Sequence, residues 1–185
     1  MSAKTFIDAN LLLKMSYQLG NMVIASGFRP THIVGIWRGG APIGIAVQEL
    51  LEYHGISTDH IAIRTSSYTG IDCQEKEVKV LGLGYLIDTL EAEDSLLIVD
   101  DVFDSGRSIE AFKRELRARC RRNTPATIRT ATVFYKPSRN VTTEEPDFFV
   151  EETEDWLVFP HELVGLSEEE IRASKANAEE ILLHG

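Results

Sequence analysis

The sequence predicts an α/β fold with a mainly parallel sheet. Short apolar runs rich in β-branched residues alternate with amphipathic helical patterns, and the glycine-containing polar segments directly follow the apolar runs. Because ligands bind at the carboxyl ends of parallel strands, these polar segments should converge at one edge of the sheet. A chain of 185 residues, 43% of them hydrophobic, is long enough for one domain with a substantial core.

The first third of the chain predicts two helices and two strands. Asp8 can cap a helix that continues to about Ser26 and stops at Gly27. Pro42 is at a position typical of a first helical turn. The elements predicted after the first helix are a buried strand at His32–Trp37, a helix over 43–53 and a strand over 59–64.

A polar stretch over 65–79 contains Gly70 and few apolar residues. This composition predicts a long mobile loop, and long loops in compact domains often act as functional lids.

The remaining elements alternate in the same way. A strand over 95–99 precedes a helix over 109–121, and a strand at Thr127–Tyr135 ends at Lys136-Pro137. A short strand is predicted over 148–151. Ser167 and Glu170 have the spacing of a capping box, which predicts one C-terminal helix over about 167–183.

Charge and composition exclude several classes of partner. The net charge of −10 argues against nucleic acid or an anionic membrane surface as a partner, and no apolar stretch is long enough to span a bilayer. No signal peptide pattern is present, and Cys73 and Cys120 lack metal-ligand spacing. We therefore expect reduced thiols and a cytoplasmic location.

The segment 96–108 is the most informative part of the chain. An apolar run ends in Asp100 and Asp101, Asp104 follows, and a turn of sequence Ser105-Gly106-Arg107-Ser108 leads into a helical pattern. Two adjacent acids by themselves indicate a solvated turn, but here they follow a buried strand. The helix start offers unpaired N–H groups to a phosphate, and the carboxylates suit hydroxyls or magnesium.

This segment resembles the 5-phosphoribosyl-1-pyrophosphate (PRPP) signature of the type I phosphoribosyltransferases. The resemblance implies that Asp100 and Asp101 accept the ribose 2- and 3-hydroxyls, directly or through magnesium and water. It also implies that the backbone and hydroxyls over 104–108 wrap the 5-phosphate. The residues assigned to PRPP are therefore Asp100, Asp101, Ser105, Gly106, Arg107 and Ser108.

A second motif is Trp37-Arg38-Gly39-Gly40-Ala41-Pro42. Taken alone, it indicates a loop that needs glycine conformations and carries an exposed arginine. Together with the first motif it resembles the pyrophosphate loop of purine phosphoribosyltransferases, in which the Arg-Gly pair often carries a cis peptide. The resemblance assigns pyrophosphate binding to Arg38 and Gly39.

The remaining site residues also follow from the resemblance. Ser67 and Tyr68 match the Ser-Tyr pair on the family's lid, and Lys136 matches the lysine that donates to oxygen 6 of a purine. Trp156 and Leu157 match a base-binding hood, the first by stacking and the second through its backbone. Glu162 matches an acid that holds magnesium and pyrophosphate, so the implied metal ligands are Asp100, Asp101 and Glu162.

The resemblance covers about residues 30–165. It implies a twisted, mainly parallel sheet flanked by helices, with a small hood over the base. We expect one domain over 1–185, with its core at about 30–140, the hood from about 1–28 and 141–166, and the extra C-terminal helix at about 167–183. The implied cofactor is Mg²⁺, the implied substrates are PRPP and a purine base, and the implied assembly is a homo-oligomer, either a dimer or a tetramer.

The resulting hypothesis is a purine phosphoribosyltransferase of nucleotide salvage that uses hypoxanthine, guanine or xanthine, with Asp104 as the general base. Three alternatives remain. A pyrimidine phosphoribosyltransferase shares the PRPP loop, but Lys136 and Trp156 argue against it. A PRPP-sensing regulator that binds nucleic acid is supported by an arginine run over 114–122 and opposed by the net charge. Retention of Asp100, Asp101 and Asp104 opposes a degenerate interaction subunit.

Overall fold

The computed structural model describes residues 4–68 and 77–183, and for Ser67, Tyr68 and Glu77 it describes the backbone alone. The strands are β1 (Lys4–Phe6), β2 (His32–Trp37), β3 (Asp59–Tyr68), β4 (Glu77–Leu81), β5 (Ser95–Phe103), β6 (Thr127–Tyr135), β7 (Phe148–Glu152) and β8 (Trp156–Val158). The helices are α1 (Ala9–Ala25), α2 (Gly40–Tyr53), α3 (Gly84–Thr89), α4 (Arg107–Cys120), α5 (Glu168–Ser174) and α6 (Ala178–Leu182).

Six strands form the central sheet in the order β4-β3-β2-β5-β6-β7. All neighbouring pairs are parallel except β3 with β4. The predicted α/β fold with a mainly parallel sheet is therefore confirmed. Its order places β2 and β5 side by side at the centre, so the loops that follow these two strands meet at one edge.

Alternation along β5 divides the core into two layers, because successive side chains of a strand point to opposite faces. Leu97 and Val99 pack in a cluster with residues of α1 and α2. Leu96 and Ile98 pack in a second cluster with residues of α3 and α4. All four β5 side chains are fully buried. A strand buried on both faces explains why this part of the sequence is a continuous apolar run.

The predicted start and end of α1 are confirmed. The Asp8 side chain accepts hydrogen bonds from the N–H groups of Asn10 (2.8 Å) and Leu11 (2.9 Å), which have no acceptor within the helix. The helix ends at Ala25, and Gly27 then adopts a φ of +79°. Only glycine adopts that conformation readily, so the chain reverses direction there.

The prediction of a loop over 65–79 is wrong at both of its ends. β3 continues to Tyr68 and β4 begins at Glu77, and the two strands pair in antiparallel register from Arg64 with Leu81 to Tyr68 with Glu77. Main-chain hydrogen bonds join two antiparallel strands of this kind, so a polar sequence is compatible with their pairing. The rest of the predicted loop, 69–76, lies outside the described residues.

The prediction of one C-terminal helix is also wrong. The capping box is present, with the Ser167 hydroxyl accepting from the Glu170 N–H and the Glu170 carboxylate accepting from the Ser167 N–H. The helix stops at Ser174 because Lys175 takes an extended backbone, and α6 starts only at Ala178. The Lys175 ammonium instead bonds to carbonyl groups over 159–160, a tertiary contact that local helix propensity does not contain.

Three further elements, β1, β8 and α3, have no counterpart in the sequence prediction. β1 pairs in parallel with β8, in the register Lys4 with Trp156, to form a two-stranded sheet that joins the two ends of the chain. The short helix α3 covers the sheet beside β4. Each is six residues or shorter, and such segments carry too little periodicity to be recognised. Over 4–68 and 77–183, no helix has the length and hydrophobicity needed to cross a bilayer.

Candidate active site

The two adjacent acids are strand residues rather than loop residues. β5 continues beyond its predicted end at Val99, because its pairing with β6 extends to Phe103 opposite Tyr135. Because successive side chains of a strand point to opposite faces of the sheet, the two carboxylates lie on different faces. Asp100 lines a small cavity of about 70 Å³, whereas Asp101 lines a larger one of about 310 Å³.

The small cavity lies at the start of α4, and Ser105, Gly106 and Ser108 line it together with Asp100. Gly106 precedes the helix with a φ of +76°, and a Cβ there would overlap the side chains of Thr142, Asn140 and Phe103. Glycine is therefore required at this position. The first N–H groups of the helix have no intrahelical acceptor, so this cavity suits an anion such as phosphate.

The segment over 140–144 supports this turn through hydrogen bonds and an ion pair. The Val141 N–H donates to the Ser105 carbonyl (3.2 Å), and the Asn140 Oδ1 accepts from the Thr142 N–H (2.9 Å). The Lys113 ammonium, on α4, pairs with the Glu144 carboxylate. The sequence analysis missed this support, although the Asn140-Val141-Thr142 sequence is typical of a turn in which asparagine bonds to the backbone two residues on.

The larger cavity brings together most of the other predicted residues. Its lining includes Asp101, Asp104, Lys136, Trp156, Leu157 and Glu162. Lys136 is only 5% exposed, and its N–H donates to the Phe103 carbonyl at 2.9 Å, which fixes it beside the end of β5. Trp156, which also lines this cavity, is 57% exposed. Buried ammonium, exposed indole and carboxylates together suit a planar polar ring.

Two cationic residues in this wall were not predicted. Arg139 lies three residues after Lys136 in the turn that Pro137 begins, and its Nη1 is 3.5 Å from the Asp104 Oδ2. Both side chains are about half exposed, so the ion pair is weak in water. Arg139 could have been predicted from the sequence, because it is a basic residue in a turn at the carboxyl end of a predicted strand, where ligands are expected. Lys4 reaches the same wall only because β1 pairs with β8.

Asp104 connects the two cavities. Among the residues that line them, Asp104 and Val102 border both. A ligand with a phosphate in the small cavity and a planar ring in the large one would therefore pass directly beside the Asp104 carboxylate.

The glycine loop after β2 approaches the acids closely. A Cβ on Gly39 would overlap the Asp101 carboxylate, and one on Gly40 would overlap the Val99 carbonyl. The cis peptide bond lies between Trp37 and Arg38, one bond before the Arg38-Gly39 pair in which the resemblance places it, and the Arg38 side chain is exposed. The loop therefore reaches Asp101 with its main chain. The side chains of Ser67 and Tyr68, predicted to close over this region, lie outside the described residues.

Burial changes the protonation of the acidic pair. It raises the pKa of Asp100 well above its ordinary range, and the adjacent charge of Asp101 adds to the shift. Burial also raises the pKa of Asp101, a shift to which the Glu162 charge adds and which the His161 ring opposes. A cation or a set of hydroxyl donors arriving here would relieve this repulsion and desolvation.

The carboxylate oxygens of Asp101 and Glu162 are ligands of the type that Mg²⁺ prefers. In the described part of the chain, no three carboxylate, imidazole or thiolate groups are close enough to hold a metal ion by themselves. These acids therefore fit a magnesium ion that takes its other oxygen ligands from water and from a bound phosphate, as the ion commonly does.

Comparison with known proteins gives consistent matches. The model of the phosphoribosyl transferase domain matches residues 14–166. A hypoxanthine-guanine phosphoribosyltransferase of Streptococcus pyogenes is 30% identical over 147 residues, which are 78% of this chain and 76% of that protein. One from Lactococcus lactis is 27% identical over the same length, 78% of this chain and 74% of that protein.

A solved structure shares the fold. The purine phosphoribosyltransferase of Pyrococcus horikoshii has a TM-score of 0.69 at 22% identity, over 89% of this chain and 97% of that one.

Replacing Asp100 with asparagine should stabilise the protein at neutral pH. The raised pKa means that the folded protein holds a proton on Asp100 more tightly than the unfolded chain does. The protonated acid therefore favours folding, and this advantage is lost as pH rises through the folded-state pKa. Asparagine keeps an oxygen for the Asp101 N–H and never ionises. In denaturant titrations between pH 4.5 and 8, Asp100→Asn should raise the free energy of unfolding above that of the wild type. We expect this difference to be largest at high pH and to shrink as pH falls.

The matched control is Asp88→Asn, because Asp88 lies exposed on α3. Its difference from the wild type should be small, because the side chain is exposed. A loss of stability in Asp100→Asn at pH 8, or a gain that does not change with pH, would contradict the assigned burial effect.

Proposed function

This chain belongs to the phosphoribosyltransferase family and is an enzyme of its purine branch, and we propose that it transfers the 5-phosphoribosyl group of PRPP to a 6-oxopurine. The acceptor is hypoxanthine, guanine or xanthine, and the products are the nucleoside monophosphate and pyrophosphate. The observation that carries the proposal is the pair of cavities that share Asp104, because a nucleotide has a phosphate at one end and a planar base at the other.

In the proposed complex, the 5-phosphate occupies the small cavity. It accepts hydrogen bonds from the N–H groups at the start of α4 and from the hydroxyls of Ser105 and Ser108. Arg107, at the first position of the helix, adds positive charge nearby. The ribose hydroxyls face Asp100 and Asp101, whose raised pKa values reflect burial that such donors would offset.

The pyrophosphate group lies against the loop of Arg38 and Gly39. Two features support this placement: the close approach of the Gly39 backbone to Asp101, and the exposed guanidinium of Arg38. Asp100, Asp101 and Glu162 are the proposed ligands of magnesium, which when bound would neutralise the charge of the leaving group. A Gly39 side chain would displace the Asp101 carboxylate, so the two parts of the site depend on one another.

The base lies in the large cavity. The exposed indole of Trp156 stacks on the purine, the backbone of Leu157 meets its 2-position edge, and the Lys136 ammonium donates to oxygen 6. A lysine ammonium has three donors and no acceptor, so it matches an oxygen and repels the donating amino group of adenine. This pairing selects 6-oxopurines.

The reaction breaks the bond between C1 of ribose and pyrophosphate early, with inversion at C1 and an oxocarbenium-like transition state. Asp104 removes the N7 proton of the purine, and its negative charge stabilises the developing positive charge of the ribose ring. The lid residues Ser67 and Tyr68 close over the reacting centre and exclude water.

We also propose a cytoplasmic homo-oligomer, a dimer or a tetramer. An apolar groove of about 370 Å³ between α2 and β3 supports self-association, with Trp37 and Ile45 exposed beside it. The buried free thiol of Cys120 suits a reducing compartment. Light scattering coupled to gel filtration should give a mass of two or four chains, and a monomer at micromolar concentration would refute the assembly.

The deciding experiment is an assay of pyrophosphate release from PRPP and Mg²⁺, with hypoxanthine, guanine, xanthine, adenine and uracil as separate acceptors. Turnover with one or more 6-oxopurines and little with adenine or uracil supports the proposal. Binding of PRPP without turnover for any base would favour a regulator, and turnover with uracil would favour a pyrimidine enzyme.

Replacing Asp104 with asparagine should lower kcat by about 10²–10⁴-fold if Asp104 is the general base. The amide has nearly the same size but cannot accept the N7 proton. Steady-state kinetics at saturating substrates measures the effect, with Glu110→Gln as the control because this exposed carboxylate lies in the first turn of α4, the helix that follows Asp104. A loss below tenfold for Asp104→Asn would rule out the role.

Replacing Lys136 with alanine should relax the choice between hypoxanthine and adenine. The variant loses the donor to oxygen 6, so kcat/KM for hypoxanthine should fall far more than that for adenine. Because both values come from the same preparation, partial misfolding cancels in their ratio. An unchanged ratio would refute the assigned contact.

A further inference from the structure

The segment after residue 166 lies outside the match to the family model, yet it contacts the wall of the active site. Val164, Gly165 and Leu166 line the large cavity directly before α5 begins. We propose that Lys175, at the end of α5, is a positioning residue that fixes the Glu162 turn, and thereby sets the affinity of the site for pyrophosphate with its metal. The inference rests on the proposed function, since it takes the ligand of Glu162 from there.

Lys175 is bonded to the chain just before Glu162. Its ammonium donates to the Phe159 carbonyl at 2.7 Å, with the Pro160 carbonyl also within reach at 3.4 Å. The Lys175 N–H donates to the Ile171 carbonyl (2.9 Å), and the Ile171 side chain is buried. The lysine is thus held by an anchored helix end, so its contact with the 159–160 segment is not that of a freely moving surface side chain.

The same Phe159 residue holds Glu162. The Phe159 N–H donates to the Glu162 Oε2 at 3.0 Å, and the Glu162 N–H donates to the Phe159 carbonyl at 3.0 Å. That carbonyl therefore accepts from both Glu162 and Lys175. Together these bonds close a turn over 159–162 and fix the direction of the Glu162 side chain, because one of its two carboxylate oxygens is engaged. Removing the lysine would remove the support for this turn on the α5 side.

Charge makes the position of Lys175 consequential. Glu162 and Asp101 line the same cavity and repel one another, and each has the acidic chemistry that the proposed metal site needs. The Lys175 ammonium bonds to the Phe159 carbonyl of the Glu162 turn, and there desolvation lowers its pKa while the Glu162 charge raises it. It therefore partly balances the two carboxylates without entering the cavity.

The other end of α5 is fastened as well. Glu170 completes the capping box with Ser167, and its Oε1 accepts from the Lys4 ammonium at 2.7 Å. Both partners of this pair are about one-third exposed, so screening by water weakens it. The Lys175 contact, which is made to main-chain carbonyls beside Glu162, is thus the contact of α5 that supports the turn.

The test compares Lys175→Met with the wild type and with Lys175→Arg. Methionine keeps an unbranched stem but has no donor, whereas arginine keeps the charge and the donors. Arg172→Met is the control on the same helix, because Arg172 is exposed and its Nη2 lies 4.0 Å from the Glu168 carboxylate. Each protein is studied by hydrogen–deuterium exchange without ligand and by calorimetric titration with Mg²⁺ and pyrophosphate.

We expect Lys175→Met to speed exchange of the amides over 159–162 and to raise the Kd for pyrophosphate with Mg²⁺ about tenfold, the effect typical of losing a residue that orients a metal ligand. With Lys175→Arg, the exchange rates over 159–162 and the Kd should return most of the way to their wild-type values. Arg172→Met should change neither quantity. In the enzyme assay, KM for pyrophosphate in the reverse reaction should rise while KM for the purine base stays constant.

Unchanged exchange over 159–162 in Lys175→Met would overturn the proposed contact. Faster exchange with unchanged binding of pyrophosphate would overturn its role in positioning Glu162. If the wild type itself does not bind pyrophosphate with Mg²⁺, the proposed function fails and the role of Lys175 fails with it. In that case the difference in hydrogen–deuterium exchange between Lys175→Met and the wild type still decides whether the Lys175 contact exists.

Discussion

The pairing of β5 with β6 beyond the apolar run is the constraint on which the rest of the site depends. Because main-chain hydrogen bonds hold the ladder to Phe103, the chain remains a strand where its side chains become acidic. The strand period then separates Asp100 from Asp101 and directs them to two cavities. If β5 ended at Val99, both acids would lie in a turn and no fixed geometry would relate them.

Burying the carboxylates of Asp100 and Asp101 next to one another is unfavourable for the folded protein by itself. Their raised pKa values express the cost of desolvation and of mutual repulsion. The neighbouring loop increases the constraint, since Gly39 brings its main chain against Asp101 and leaves no room for a side chain. In the proposed complex, substrate hydroxyls and a metal ion would offset these costs, so the arrangement would favour the bound state over the free one.

The ends of the chain complete the cavity that the sheet begins. β1 and β8 pair although they are far apart in sequence, Lys4 being opposite Trp156, and α5 is attached to both walls through Glu170 and Lys175. These contacts place Lys4, Trp156 and Glu162 around one space, although their positions in the chain span more than 150 residues. Short strands and short helices have little stability of their own, so their order depends on these tertiary contacts.

The sequence by itself determined the class of fold and the residues with the chemistry. Buried strands are recognisable as continuous apolar runs, as over 95–99, and the Asp100-Asp101 pair before the Gly106 turn predicts a phosphate site, because both patterns depend on neighbours along the chain. The helix cap at Asp8 and the capping box at Ser167 were predictable for the same reason.

Only the tertiary structure decided where β3 and β5 end, why the C-terminal helix breaks at Lys175, and that Arg139 and Lys4 border the base cavity. Each of these depends on a partner distant in sequence: β4 for β3, β6 for β5, the 159–160 carbonyls for Lys175, and β8 for Lys4. Local propensity and periodicity carry no information about such partners, because the free energy that settles them arises from contacts made only in the folded chain.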